Sequence, residues 1–330
     1  MREKFLKIIQ TSFPLVPKPF EELGKVLGTT EQETLDLYKD LKESKIIRQT
    51  SGILDTTALG YKSTLVAFSV KDIERAAEFI NTHPGVSHNY ERNHEIFNLW
   101  FTIAVPPDSL LGLEETIQII AKKVDAKIYL ILPNLKMFKI GVILDTESKE
   151  IKKEIVERKE LKDFQLLDIH KKILLYIQED IPISIEPFKE MTQKLGIDYI
   201  RFFEEVKNLL NAGYIRRFAS ILNHRKAGFK YNAMVVWNVP DHRVDEVGEI
   251  IASYSAVSHC YQRPRYKDWN YNIFSMIHGK TEGEVELIID SISKEVGIKD
   301  YKKLYSTKEF KKSRIKYFSD EFYTWEKNFI

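Results

Sequence analysis

Pro187-Phe188-Lys189-Glu190-Met191, continued through Lys194-Leu195-Gly196, repeats Pro19-Phe20-Glu21-Glu22-Leu23, continued through Val26-Leu27-Gly28. In the earlier copy the proline opens a helical run and Gly28 closes it, the usual order of helix start and stop signals. Outward from these runs the match continues. Arg216, Ile221, Leu222 and Gly228 recur at the spacing of Arg48, Ile53, Leu54 and Gly60. Val257-Ser258-His259 repeats Val86-Ser87-His88, Arg263 answers Arg92, and Asn272 answers Asn98. The chain is therefore a tandem duplication.

Each copy predicts the same two modules. Residues 3 to 12 form a short amphipathic helix that stops before Pro14, and Thr29 or Thr30 caps a third helix running to about Ser44. Lys45 to Leu54 reads as two short strands about Ser51-Gly52, so residues 1–60 are expected to form a winged helix-turn-helix. Ser63 to Val70, Val86 to Arg92, Phe97 to Val105 and Ala126 to Leu132 read as strands, with helices at Asp72 to Asn81 and Ser109 to Val124. Their order, βαββαβ, predicts a ferredoxin-like module over residues 61–145. Residues 146–163, dense in charge, are expected to be a solvated helical linker. A second winged helix follows over 164–230 and a second ferredoxin-like module over 231–330, ending in a basic tail, Lys308 to Tyr317, with no strong counterpart in the first copy. The fold class is α+β.

A chain of 330 residues is long enough for two to four domains with cores of their own. Its 50 basic and 48 acidic residues leave a net charge of +2, which gives no general affinity for nucleic acid. The single cysteine, Cys260, excludes an internal disulfide framework and a multi-cysteine zinc site, which fits a reducing compartment. Met1-Arg2-Glu3-Lys4-Phe5-Leu6-Lys7 lacks the apolar run of a signal peptide, and no stretch is long enough to span a bilayer. A cytoplasmic protein without membrane partners is expected.

Chemistry concentrates in two places. Arg216 to Phe229 carries Arg216, Arg217, Arg225 and Lys226 with no carboxylate, and His224 sits among them. Such a field suits an anionic ligand held near a proton donor. Val257 to Tyr266 repeats the combination with His259, Tyr261, Arg263 and Arg265; side chains two apart on a strand share a face, so the first three are expected to line one wall of a pocket. Cys260, between them, then points the other way as a buried small residue. His83, His94, His170, His242 and His278 lie in no motif and are expected at the surface or as caps. Where the second copy has Asn223-His224-Arg225-Lys226 the first has Asp55-Thr56-Thr57-Ala58, which places the chemistry mainly on the second copy and makes the chain a built-in heterodimer.

The winged helix joined to a ferredoxin-like module resembles the Lrp/AsnC regulators. Ile221-Leu222-Asn223-His224-Arg225-Lys226-Ala227-Gly228-Phe229, Val235-Val236-Trp237-Asn238-Val239-Pro240, Val257-Ser258-His259-Cys260-Tyr261-Gln262-Arg263-Pro264 and Leu304-Tyr305-Ser306-Thr307-Lys308-Glu309-Phe310-Lys311-Lys312 resemble much more closely the siroheme decarboxylases. These are the AhbA/AhbB pair of alternative heme synthesis and the NirD, NirL, NirG and NirH proteins of heme d1 synthesis. In the first copy the resemblance rests on Val86-Ser87-His88-Asn89-Tyr90-Glu91-Arg92 and Phe97-Asn98-Leu99-Trp100. Both copies in one chain resemble the fused NirDL form.

The resemblance implies loss of two acetate carboxyl groups of siroheme as carbon dioxide, giving 12,18-didecarboxysiroheme for heme d1 or the alternative heme route. It implies no added organic cofactor, since iron arrives with the substrate, and no histidine spacing demands a metal ligand. On that reading His224 and His259 are the catalytic pair, one protonating the methylene and the other holding the carboxylate. Arg216, Arg217, Arg225, Lys226, Arg263 and Arg265 clamp the other carboxylates, Tyr261, Trp237 and Trp269 stack on the macrocycle, and His88 is a further substrate contact. Two rivals stand beside it. A DNA-binding regulator is disfavoured because Glu31, Glu33, Asp36, Asp40 and Glu43 outnumber Lys39 and Lys42 in the expected recognition helix. A tetrapyrrole carrier without chemistry uses the same pocket. Whether two such chains pair further stays open.

Overall fold

The computed structural model describes residues 1–140, 164–223 and 231–330, and its chain divides into two compact units. The duplication is sorted by module: one unit contains both helix-turn-helix segments, the other both ferredoxin-like segments. Elements are numbered along the chain.

In the first unit, helices α1 (Arg2–Thr11), α2 (Pro19–Leu27) and α3 (Glu31–Glu43) lead into strand β1 (Ile47–Leu54), and α6 (Asp168–Ile177), α7 (Lys189–Leu195) and α8 (Tyr199–Asn211) lead into β7 (Ile215–Leu222). Gly28 and Gly196, at φ 73° and 66°, end α2 and α7 in the left-handed conformation that only glycine adopts without strain. Thr30 is the cap of α3: its Oγ1 accepts from Glu33 N at 3.2 Å, and Glu33 Oε2 accepts from Thr30 N at 2.9 Å, a capping box.

The expected wing hairpin about Ser51-Gly52 is absent, and β1 runs straight through both residues. It pairs antiparallel with β7 of the other copy, Thr50 opposite Ser220 and Gly52 opposite Phe218. A strand needs a hydrogen-bonding neighbour, and the equivalent strand of the second copy supplies it without a turn. Thr50 Oγ1 lies 2.6 Å from Ser220 Oγ at the centre of this ribbon. At Gly52 a Cβ would lie 3.2 Å from the Ile177 side chain, so the missing side chain lets α6 approach.

In the second unit the first copy supplies β2 (Lys62–Ser69), α4 (Ile73–Asn81), β3 (Val86–Arg92), β4 (Leu99–Val105), α5 (Gly112–Lys123), β5 (Ile128–Pro133) and β6 (Lys136–Ile140). The second copy supplies β8 (Tyr231–Trp237), α9 (Val244–Ser253), β9 (Val257–Gln262), β10 (Ile273–Gly279), α10 (Glu282–Val296), β11 (Tyr301–Leu304) and β12 (Ser306–Lys312), followed by α11 (Glu321–Glu326). Two five-stranded sheets result, in the orders β12-β3-β4-β2-β5 and β11-β8-β10-β9-β6. Each copy therefore gives its last strand to the other copy's sheet.

The basic tail thus has a counterpart after all, since β12 stands to the first sheet as β6 stands to the second. The shared signal is short, Lys136-Met137-Phe138-Lys139 against Lys308-Glu309-Phe310-Lys311, and polar substitutions surround it. Phe138, fully buried, belongs to the second copy's core, where a Cβ on Gly248 of α9 would come within 2.4 Å of its ring. Phe310 packs, half-buried, against the first copy's core.

Strands buried on both faces explain the unbroken apolar runs. Along β2, Val66 and Phe68 face the first copy's helices, whereas Leu65 and Ala67 join a cluster shared with Met234 and Val236 of β8. The two sheets pack face to face through that cluster, with their helices outside. Two histidines expected at the surface or as caps are buried. His83 lies at 1% exposure beneath Trp325 of α11, ring centroids 4.6 Å apart, with Nδ1 accepting from Gly85 N at 3.0 Å. His170 is buried and still a cap, its Nδ1 accepting from Leu167 N at 3.0 Å.

Candidate functional site

Strands β3 and β9 carry the same irregularity. Val86 pairs with Ile103 and His88 with Thr102, leaving Ser87 as an extra residue; Val257 pairs with Ile277 and His259 with Met276, leaving Ser258. A bulge of this kind turns neighbouring side chains toward the same side, which strict alternation forbids. Each histidine thereby lies beside its preceding serine: Ser87 Oγ is 3.0 Å from His88 Nδ1, and Ser258 Oγ is 2.8 Å from His259 Nδ1.

Beyond the bulge alternation resumes, so Tyr90 and Arg92 share the face of His88, and Tyr261 and Arg263 that of His259. The two walls match closely. Histidine and tyrosine ring centroids are 6.1 Å apart in both. Arg92 lies 5.3 Å from the Tyr90 ring and Arg263 lies 5.0 Å from the Tyr261 ring, cation over aromatic face. All six residues line one cavity of ≈ 180 Å³, with Leu65, Trp100, Met234 and Met276 in its walls.

Electrostatically the cavity is a paired cation site. Arg92 is 6% exposed; Arg263 is half-buried overall with its Nε enclosed. Burial pushes both guanidinium pKa values down to about 10, with the neighbouring tyrosine opposing, and both groups stay charged at neutral pH. Each is held by one main-chain carbonyl of the other copy: Arg92 Nη1 donates to Leu304 O at 2.9 Å, and Arg263 Nη1 donates to Leu132 O. Among the described residues neither has a carboxylate partner, and the Nε of each is buried without an acceptor. Enclosed cations with unused donors are arranged for an anion that arrives from outside.

None of the other described sequence candidates lines this cavity. Arg216, on β7 of the helix-turn-helix unit, is ion-paired with Asp55, its Nε 2.9 Å from Oδ2. Arg217 beside it has its pKa lowered by burial and then by Arg216. His224, Arg225 and Lys226 lie outside the described residues. Arg265 is not a wall of the cavity: it donates to Asp241, to Asn238 Oδ1 at 3.2 Å and to Asn270 O at 2.8 Å, bracing its own loop. Trp237, expected to stack on a ligand, is fully buried on the helix side of its sheet with Nε1 donating to Ser275 Oγ at 2.9 Å. Alternation along β8 puts it there. Trp269 is packed among Trp100, Phe97, Tyr271 and Phe274 and does not line the cavity. Cys260 is fully buried, and burial pushes its thiol pKa up, so it is no nucleophile.

Sequence reasoning missed Tyr90 and Arg92 as site residues. The signal was present: His-x-Tyr-x-Arg occurs at His88 and again at His259. Weighting the diverged second copy hid it.

A tandem helix-turn-helix chain with AsnC-like ligand-binding modules is the class that this fold and cavity define. The family described as AsnC-like ligand binding domain matches residues 58–139 and 226–311, and that described as Siroheme decarboxylase NirDL-like HTH domain matches residues 3–48 and 170–216. A siroheme decarboxylase of Hydrogenobacter thermophilus is 43% identical over 330 residues, 99% of this chain and 98% of its own. The siroheme decarboxylase beta subunit of Methanosarcina barkeri is 46% identical over 145 residues, 44% of this chain and 95% of its own. Crystal structures of the siroheme decarboxylase NirDL, alone and in complex with an iron-uroporphyrin III analogue, superpose with a TM-score of 0.79 at 38% identity, covering 99% of this chain and 97% of theirs. This chain belongs to the siroheme decarboxylase family.

Proposed function

We propose that this chain converts siroheme to 12,18-didecarboxysiroheme, removing two acetate carboxyl groups as carbon dioxide, with the product serving heme d1 or alternative heme synthesis. The observation that carries the reading is the cavity itself, in which two arginines with enclosed Nε atoms, without carboxylate partners among the described residues, each stand beside a tyrosine and a histidine. A macrocycle edged with carboxylates meets that pair of cations, and bidentate contacts fix its orientation as well as its charge.

The chemistry then needs one proton per carboxylate. As carbon dioxide leaves, the electrons of the broken C–C bond stay on the methylene carbon, and a proton completes the methyl group. His259 is the donor on the cavity wall, and His88 holds the matching position on the first copy's wall. His224 enters from its sequence context as the group that holds or polarises the reacting carboxylate, and Arg225 and Lys226 as further clamps.

At ≈ 180 Å³ the cavity is below the roughly 300–1,000 Å³ usual for ligand sites. A tetrapyrrole therefore extends beyond the cavity mouth or displaces its wall. Met234 and Met276 are the unbranched, flexible apolar side chains of the wall.

The test is anaerobic incubation of purified protein with siroheme, followed by mass spectrometry of the tetrapyrrole. Loss of two carboxyl masses is expected. Siroheme recovered bound but unchanged would replace the enzyme by a carrier.

A further inference from the structure

The bulge that sets Ser258 beside His259 also sets it beside a third residue, one that the cavity does not include. Ser258 Oγ lies 2.8 Å from His259 Nδ1 and 2.7 Å from Nε2 of His278 on β10. Its remaining contact, with Met276 O, is long at 3.4 Å. One hydroxyl at 1% exposure thus bridges two imidazoles. A hydroxyl has a single proton to donate, so at least one ring must donate N–H to it. A proton can then pass from ring to hydroxyl to ring without entering bulk water.

The first copy has the same bulge and serine but a different third partner. Ser87 Oγ lies 3.0 Å from His88 Nδ1 and 2.7 Å from Thr102 Oγ1. Threonine neither holds an extra proton near neutral pH nor supplies one. Among the described residues, the serine of one wall bridges to a second titratable ring, and the serine of the other bridges to a threonine hydroxyl.

We propose that His278 is a positioning residue that acts on His259 through Ser258, holding it as the Nε2–H tautomer and compensating it at Nδ1 when it gives up a proton. The inference rests on the decarboxylase reading above. With His278 protonated, its Nε2–H donates to Ser258 Oγ and Ser258 donates to His259 Nδ1. His259 then carries its proton on Nε2, the ring nitrogen turned away from Ser258. When that proton passes to the methylene carbon, Ser258 passes its own to Nδ1 and takes one from His278. His259 moves from one neutral tautomer to the other and never becomes an imidazolate. The balance is closed: protonated His278 and an acetate anion give neutral His278, a methyl group and carbon dioxide. Positive charge is stored behind the acid, while its neutral face meets the substrate.

The experiment compares His278→Gln, His278→Ala and wild type as full-length protein, anaerobically with siroheme, resolving each decarboxylation by mass spectrometry in single turnovers. Glutamine keeps a donor to Ser258 but has no proton to pass on. Both variants are expected to bind siroheme with unchanged affinity and to lose at least tenfold in kcat. Added imidazole should restore the alanine variant and not the glutamine one. A glutamine variant with wild-type kcat would overturn the relay, since a purely structural donor would then suffice. Nitrogen NMR of His259 in the protein without substrate is the independent reading: the Nε2–H tautomer is expected in wild type, and the Nδ1–H tautomer there would also overturn it. Failure of the decarboxylase reading looks different, a wild-type protein that leaves siroheme intact, and the tautomer still decides the inference in that case.

Discussion

The two walls of the cavity are near-copies that differ behind their surfaces. Both present histidine, tyrosine and arginine from a bulged strand, at the same ring spacings and with arginines anchored on the opposite copy. They part at the serine's third partner, Thr102 in one and His278 in the other. On the proposed reading, the residues that stayed alike after duplication, histidine, tyrosine and arginine, meet the substrate, and the divergence lies in what stands behind the histidine. A pseudo-symmetric pocket can thus bind a ligand from two sides while working on it from one.

The sharpest way to break that comparison is to remove the two histidines separately. His259→Ala is expected to cost about 10²–10⁴ in kcat, the range of a lost general acid, whereas His88→Ala should cost tenfold or less. Single-turnover product analysis reads both; equal losses would make the walls chemically equivalent.

The exchanged strands come next. Phe138→Ala empties a fully buried site and should destabilise the protein by about 3–5 kcal/mol, while Phe310→Ala, at a half-buried site, should cost clearly less by denaturant titration.

Acid should also separate the copies. Burial, and then the charge of Lys311, pushes His83 down to about 3, whereas the unfolded chain titrates near 6.5. Between those values the unfolded state binds the extra proton, so the contribution is intact above pH 6.5 and lost as pH falls. By pH 4 this amounts to on the order of 3 kcal/mol. The second copy has Tyr254 at the matching position, so hydrogen exchange at low pH should show the first copy's core loosening first, and His83→Phe should abolish the difference.

The smallest effects should be the most symmetric. Arg92→Leu and Arg263→Leu are each expected to weaken siroheme binding by about 1.5–3 kcal/mol, the worth of a charged hydrogen bond, and by similar amounts. Absorbance titration measures both, and a strongly unequal pair would show that one wall alone holds the ligand.

Much of this was legible from periodicity and repetition. The paired prolines and glycines gave the helix-turn-helix segments, alternation gave the strands, and two-residue spacing put His259, Tyr261 and Arg263 on one wall. Strand partners were not legible, because alternation says which face a residue occupies and nothing about which neighbour its backbone bonds. Hence β1 read as a complete local hairpin, and β12 as a tail. Trp237 failed for a related reason: a strand buried on both faces gives no polar side from which to tell the ligand layer from the helix layer.

The exchange of β6 and β12 has an evolutionary consequence. Neither copy completes its five-stranded sheet from its own sequence, so the strand each lends is held to the shape of the other copy's core. A side chain at Gly248 would collide with a phenylalanine encoded in the opposite half of the chain. Duplication can free one copy to decay; here the crossing strands tie the two halves together, so a change in the core of either is felt by a strand encoded in the other.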